Sequence, residues 1–436
     1  MISDVERLRL LTPEEATLDV PDVEELFGPR GPVARALGPR YRYRPQQIEM
    51  AQAVRQALIE GRPALIEAGT GSGKSFAYLI PVIASGARAF ISTANKTLQT
   101  QLWEKDLPTL RQALSQRFTA ALLKGRANYV CLAKLREAGR QLGLPGLRAA
   151  LADLWAELQR VPSGDVEELR LNASAREAVT ASQHECLGRE CPFFAECYFE
   201  RAKVQAETAD LVVLNHALLM VNLLRPFLTP RPVIVVDEAH ELERYAINAL
   251  RLELEYATVP ALVNDEAVMR SVEERLRQDA VQLNNRLFVG LAAQPDEIER
   301  RWTVTGELDT AAALAHDLHA IAQQLQRAYP PAPGNDEENT ENAHHQAVMF
   351  WAEELADNTL RLAQPPPPDS VRYCEARPGA VGADSVVLVR EPLDVAGFLQ
   401  AALFGPVKRV ICTGATPVSY THLRAHETPE HLVCRL

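Results

Sequence analysis

The run EAGTGSGKS at residues 67–75 constrains the fold of this chain more than any other stretch. It follows the apolar stretch ALIEA and precedes the apolar stretch FAYLIPVIA, so it reads as a turn from a buried strand into a helix. Glycines at 69, 71 and 73 let successive backbone N–H groups point towards one centre, as an anion requires. The start of the following helix adds a partial positive charge at the same place. Ala68, Gly69, Thr70, Gly71, Ser72, Gly73, Lys74 and Ser75 together read as a phosphate cradle. In such a loop the lysine reaches the β- and γ-phosphates and the hydroxyl ligates Mg²⁺, so Lys74, Ser75, ATP and Mg²⁺ are implied. Ala68 stands where the usual pattern has glycine. A glycine-rich turn without a ligand is the bland alternative, and the strand context with the Lys–Ser pair argues against it.

Short apolar strands continue to alternate with helical patterns: PALIEA, FAYLIPVIASG, RAFISTA, KTLQTQLWEKDL and AALLKG. That order predicts an α/β fold with a parallel sheet. Ahead of it, RPQQIEMAQAVRQALIEG places Ile48, Ala51, Val54 and Leu58 on one helical face and ends at Gly61. Residues 233–240 read VIVVDEAH, a buried strand followed by acids. Asp237 would emerge at the carboxyl end of that strand, where open parallel sheets bind ligands. There Asp237 can hold Mg²⁺ through its water shell, and Glu238 can polarise an attacking water. A surface acid pair is the plain reading of those residues taken alone; the phosphate loop upstream makes it the weaker one.

Cysteine use points to a second chemistry. Three of the seven cysteines, Cys186, Cys191 and Cys197, fall within twelve residues, and Cys131 lies upstream in a spacing of C-x54-C-x4-C-x5-C. Seven cysteines in 436 residues do not make a disulfide scaffold. Four thiolates can hold zinc or an iron–sulfur cluster, and the wide spacings without a C-x2-C knuckle favour the bulkier cluster. Buried, unligated thiols are the remaining reading. Cys374, Cys412 and Cys434 lack such neighbours and read as packing residues.

The net charge of −11 is uneven: residues 251–350 carry 17 acidic and 8 basic side chains. One acidic helical stretch therefore sits within an otherwise balanced chain, and charge alone neither supports nor excludes a nucleic-acid partner. Such a stretch should not grip a phosphate backbone over its general surface; contact would fall to local bases such as Arg300 and Arg301. No apolar run approaches the roughly 20 residues a membrane span needs. The charged start MISDVERLRLL lacks a signal core, so a cytoplasmic location is expected.

Taken together, these segments resemble the XPD/DinG family of iron–sulfur superfamily 2 DNA helicases, on its bacterial DinG/YoaA-like side. The resemblance covers about residues 40–416 and rests on RPQQ at 44–47, EAGTGSGKS, ISTANKTLQTQL at 91–102, LLKGRANYVC at 122–131, CLGRECPFFAEC at 186–197, VVLNHALL at 212–219, VVDEAH and TGAT at 413–416. It implies that Gln47 reads the adenine edge and that Thr93 and the residues after it touch a single-strand backbone. It implies a [4Fe–4S] cluster on Cys131, Cys186, Cys191 and Cys197. His240 and TGAT would couple nucleotide state to DNA contacts. Single-stranded or forked DNA, 5′→3′ translocation, and DNA repair or replication stress would follow.

The expected organisation is a RecA-like domain in three parts, residues 1–125, 206–245 and 376–416, with two insertions. These are a helical iron–sulfur domain at 126–205 and a helical arch-like insertion at 246–375. Where the family has serine this chain has Gly414, and residues 417–436 match no family pattern and read as a non-native tail. The family continues into a second RecA-like domain with an arginine finger, so the chain reads as a fragment that binds ATP·Mg²⁺ weakly and does not unwind DNA by itself. The competing reading is an ATP-responsive single-strand-binding module without motor activity. A zinc-structured nuclease accessory protein would need a carboxylate cluster that is not found.

Overall fold

A computed structural model describes residues 18–69, 71–114, 116–140, 154–169, 171–293, 300–329, 336–377, 382–414 and 432–435. Thr70, Ala415, Thr416 and most of the 417–436 stretch lie outside the described residues. Eleven strands occur among them. In chain order they are Ala64–Glu67 (β1), Ala89–Thr93 (β2), Ala120–Leu122 (β3), Leu211–Asn215 (β4), Val233–Asp237 (β5), Leu252–Glu255 (β6), Arg301–Thr303 (β7), Ser370–Ala376 (β8), Val386–Pro392 (β9), Arg409–Gly414 (β10) and Leu432–Arg435 (β11).

The chain divides into two compact units, and residues 1–125, 201–249 and 394–436 make the first. Its sheet is parallel throughout, in the order β11-β1-β10-β5-β2-β4-β3. The centre of the sheet explains the apolar runs: every residue of β2, β5 and β10 is buried, as strands covered on both faces must be. Helix Pro45–Glu60 begins with proline in its first turn and ends on Gly61 in a left-handed conformation with φ 65°. It buries Ile48, Ala51, Val54 and Leu58, the face the heptad-like spacing predicts, together with Met50 and Ala57. The sequence pattern thus gave the parallel α/β core and its phosphate-loop connection.

Residues 126–200 and 250–393 make the second unit. Helices Glu274–Ala292, Asp309–Ala328 and Asp336–Ala363 supply much of its core, with Leu287, Phe288, Leu314, Leu318, Ile321 and Leu355 buried. The unit also holds a four-stranded antiparallel sheet in the order β6-β9-β8-β7. The sheet adds strands to an insertion built largely of helices, as expected. Residues 386–392, expected within the RecA-like part at 376–416, instead form β9, which pairs antiparallel with β6 and β8. A short apolar run bounded by turns is compatible with either kind of strand, and only long-range pairing decides.

Arg372, on β8, is fully buried and donates to the carbonyls of Val304, Leu362, Ala363, Gln364 and Gly306. It thereby satisfies the otherwise unpaired carboxyl end of helix Asp336–Ala363. Arg301 is exposed, bonds Glu375 at 3.0 Å and lies over the Tyr373 ring. No described helix is long and apolar enough to cross a membrane.

Candidate functional site

The phosphate loop leaves β1 and enters helix Lys74–Ala84, as its sequence requires. Gly71 and Gly73 have φ 78° and 86°, values that side chains other than glycine rarely adopt. Gly73 is further confined because a Cβ there would fall 2.2 Å from the Gln47 amide nitrogen. Gln47 donates to the Gly73 carbonyl at 2.9 Å, and Arg44 donates to the Gly71 carbonyl. Both side chains from the start of helix Pro45–Glu60 therefore brace the loop. Ala68 is buried and its N–H bonds the Gly414 carbonyl at 3.0 Å, which ties the loop to the end of β10. Gly69 and Ser72 close the turn through a backbone bond of 3.3 Å.

The acidic motif arrives from β5. Lys74 Nζ lies 2.6 Å from Glu238 Oε1, a residue 164 positions away. Tyr78, one helical turn beyond Lys74, donates its hydroxyl to Asp237 Oδ2 at 3.1 Å. Burial raises the Asp237 carboxyl to about 6; the nearby Lys74 charge opposes that rise and Glu238 adds to it. Burial likewise holds the Tyr78 hydroxyl well above its ordinary value, so it stays a donor. Glu238 is the one described non-glycine residue with positive φ, at 57°. His240 Nδ1 lies 3.5 Å from Glu238 Oε2 and its Nε2 lies 3.7 Å from Glu241 Oε1. Thr413 of β10 stands in register with Asp237, which puts the start of the TGAT segment beside the acids.

Next to the loop is a cavity of about 230 Å³ lined by Tyr41, Arg42, Arg44, Gln47, Ser75 and Asp106, among others. Ser75 and Gln101 bond the Asp106 carboxyl, whose burial raises its pKa. Asp106 reaches that place at the end of a π-helical turn, Leu102–Asp106. Tyr78, Asp106 and Arg44 were not legible as site residues. Each acts through pairing across the fold rather than through neighbours in sequence. Thr93 departs from its expected role: it is fully buried and donates to the Asn95 carbonyl at 3.3 Å. The exposed residues of that segment are Asn95, Lys96 and Thr97.

In the second unit, Cys131, Cys186, Cys191 and Cys197 all line one cavity, walled also by Phe193, Phe194 and Phe199. All four are free thiols. Burial raises the Cys131 thiol, and burial pushes Cys191 to about 11, with the neighbouring sulfurs adding to both shifts. Backbone N–H groups oppose the rise: those of Ala133 and Lys134 face Cys131, and that of Phe193 faces Cys191. A further N–H, from Gly188, approaches Cys186 Sγ at 3.4 Å. Yet no three Cys, His, Asp or Glu side chains among the described residues are drawn closely enough around one point to hold a single metal ion. The segment around the sulfurs is pinned by Lys134–Glu185 at 2.6 Å and by Arg126 over the Phe199 ring at 4.8 Å.

The chain is similar in sequence and fold to known proteins. The chain is 37% identical over 229 residues to the ATP-dependent DNA helicase YoaA of Escherichia coli K12, a match covering 50% of this chain and 36% of that one. It is 39% identical over 241 residues to the ATP-dependent helicase DinG of Mycobacterium tuberculosis H37Ra, covering 49% and 36%. It is 31% identical over 233 residues to the 3′-5′ exonuclease DinG of Staphylococcus aureus USA300, covering 50% and 24%. The aligned part thus spans about a third or less of these relatives. A solved XPD helicase has a similar fold, with a TM-score of 0.51 at 14% identity, over 90% of this chain and 62% of that one. No protein-family model matches the chain.

Proposed function

We propose that this chain, which belongs to the XPD/DinG helicases, forms the lobe of an ATP-dependent DNA helicase that binds ATP·Mg²⁺ and prepares it for hydrolysis. The carrying observation is the convergence of Lys74, Asp237 and Glu238 at the ends of β1 and β5. Lys74 neutralises phosphate charge, Asp237 and Ser75 hold the metal, and Glu238 takes a proton from water. Lys74 holds Glu238 at 2.6 Å. A γ-phosphate competes for the ammonium and frees the carboxylate to act as base. His240 is close enough to orient that carboxylate. The cavity beside Gln47 and Tyr41 suits the nucleoside. Single-stranded or forked DNA is the substrate class, by kinship with DNA helicases.

The four cysteines fit a [4Fe–4S] cluster better than zinc. Zinc at about 2.3 Å from each sulfur demands a tight tetrahedron. Here the four cysteines line one aromatic-walled cavity, and their wide sequence spacing lacks a C-x2-C knuckle. N–H groups directed at sulfur are the usual support of cluster thiolates. When bound, the cluster would cross-link Cys131 to the 186–197 loop and so stabilise the module.

Glu238→Gln separates binding from chemistry. The variant should bind ATP·Mg²⁺ as tightly as the parent while the slow hydrolysis of the parent falls by roughly 100-fold or more. Equal hydrolysis by both would exclude Glu238 as the base. Binding without any hydrolysis in the parent would favour an ATP-responsive DNA-binding module.

A further inference from the structure

His216 is unused by the chemistry above, yet it occupies a position between the two functions of the lobe. It is the first residue of helix His216–Leu224, whose start is fixed by Asn215 accepting the Leu218 N–H at 2.8 Å. The side chain is fully buried. One ring nitrogen, Nδ1, lies 2.6 Å from Ser92 Oγ on β2. The ring stands edge-on to Tyr245 at 5.4 Å, and the Tyr245 hydroxyl donates to the Ala94 carbonyl at 2.5 Å. Both contacts therefore hold the start of the segment that exposes Asn95, Lys96 and Thr97. On its other side the imidazole comes within hydrogen-bonding reach of the backbone of Asp237 and Glu238. Its Nε2 is buried and makes no hydrogen bond of normal geometry there.

A buried ring nitrogen left unbonded costs on the order of 1–3 kcal/mol. Such a group in a native core calls for an explanation. Its neighbour supplies one. Glu238 holds a left-handed backbone, φ 57° and ψ 52°, while its side chain is held by Lys74. That conformation costs a non-glycine residue about 1 kcal/mol or more. Release of Glu238 from Lys74 removes one restraint on that conformation, and so on the backbone that the His216 ring faces.

We propose that His216 is a positioning residue that couples the nucleotide site to the 93–97 segment, by bonding the Asp237–Glu238 backbone through Nε2 in the nucleotide-bound state while Nδ1 holds Ser92. With the Ser92 hydroxyl donating to Nδ1, the neutral imidazole carries its proton on Nε2 and is a donor towards those carbonyls. Nucleotide then stabilises one arrangement of the β2 end, and a strand bound at Asn95–Thr97 stabilises the same arrangement. The coupling must be reciprocal. This inference rests on the ATP and single-strand DNA reading given above.

The test is a binding cycle on the full chain with a labelled oligothymidylate and adenylyl imidodiphosphate·Mg²⁺, each titrated with and without the other. The parent should show coupling of roughly 5-fold or more. His216→Asn keeps a polar atom near the Nδ1 position and lacks Nε2. It should bind each ligand alone within about 2-fold of the parent and lose the coupling, a split that general destabilisation does not produce. His216→Gln, whose amide reaches the Nε2 position, should recover part of it. Ser92→Ala cuts the connection from the other end and should also abolish coupling, which decides the matter if His216→Asn does not fold. Parent-like coupling in folded His216→Asn or Ser92→Ala overturns the role of His216 alone. Failure of the parent to bind either ligand, or to couple them, overturns the functional reading and this inference with it.

Discussion

Single side chains in this lobe do work that their sequence neighbours do not announce. Lys74, Ser75, Asp237 and Glu238 are legible because phosphate and metal chemistry demand fixed residue types at fixed local spacings. Tyr78 and His216 are not, because each gains its partner only through the parallel register, Tyr78 from 159 residues away and His216 from 124. His216 has a measurable signature of its own. Burial pushes its ring from an ordinary 6.5 down to about 4. Between those values the unfolded chain binds a proton that the folded chain refuses, so stability is intact above about pH 6.5 and is lost as pH falls towards 4. The loss attributable to this ring is on the order of 3 kcal/mol. Asp237, raised to about 6, acts in the opposite direction between its ordinary 3.8 and that value. Because Asp237 is present in both proteins, a comparison of the parent with His216→Asn isolates the histidine. Urea unfolding at pH 7.5 and pH 4.5 should show the smaller acid-induced loss in the variant. Equal losses would mean that the ring is not held neutral.

Among the elements, those of the nucleotide lobe followed from sequence most directly. Their strands are apolar throughout, and the loop between β1 and helix Lys74–Ala84 carries its own glycine signature. The antiparallel sheet β6–β9 was hidden because VVLV does not say which strand it will pair with. Arg372 was equally hidden: a lone arginine in YCEA context gives no sign that it will cap a helix from within the core. The cysteine module lies between these cases. Spacing identifies its four sulfurs, while the aromatic wall and the directed N–H groups emerge only on folding. Among the described residues its apolar cluster includes Val130, Leu135, Leu154, Leu158, Val166, Leu169 and Val179. Ligation should contribute to its stability, because ligation free energy is folding free energy for a small metal-bound unit. Protein purified without oxygen should be brown and hold about four irons per chain. Cys191→Ser should lose the colour and expose residues 126–200 to limited proteolysis while nucleotide binding persists. A colourless parent with one zinc per chain would exclude the cluster.

On the scale of the whole chain, the acidic stretch and the phosphate loop belong to different compact units. The stretch 251–350, with 17 acidic and 8 basic side chains, repels phosphate, while the phosphate loop sits in the other unit. Binding of nucleotide should accordingly be a property of the parallel-sheet lobe and insensitive to the acidic stretch. It should also depend on Mg²⁺, because Asp237 and Ser75 contribute through the metal rather than by touching phosphate. The most direct measurement is calorimetric titration of the full chain with adenylyl imidodiphosphate, with and without Mg²⁺, beside Lys74→Ala. The parent should bind one nucleotide per chain only when Mg²⁺ is present, and Lys74→Ala should weaken it by roughly 10-fold or more, the loss of one charge-assisted contact of about 1.5–3 kcal/mol. Absence of binding in the parent, or equal affinity in Lys74→Ala, would contradict the assignment of this site to ATP.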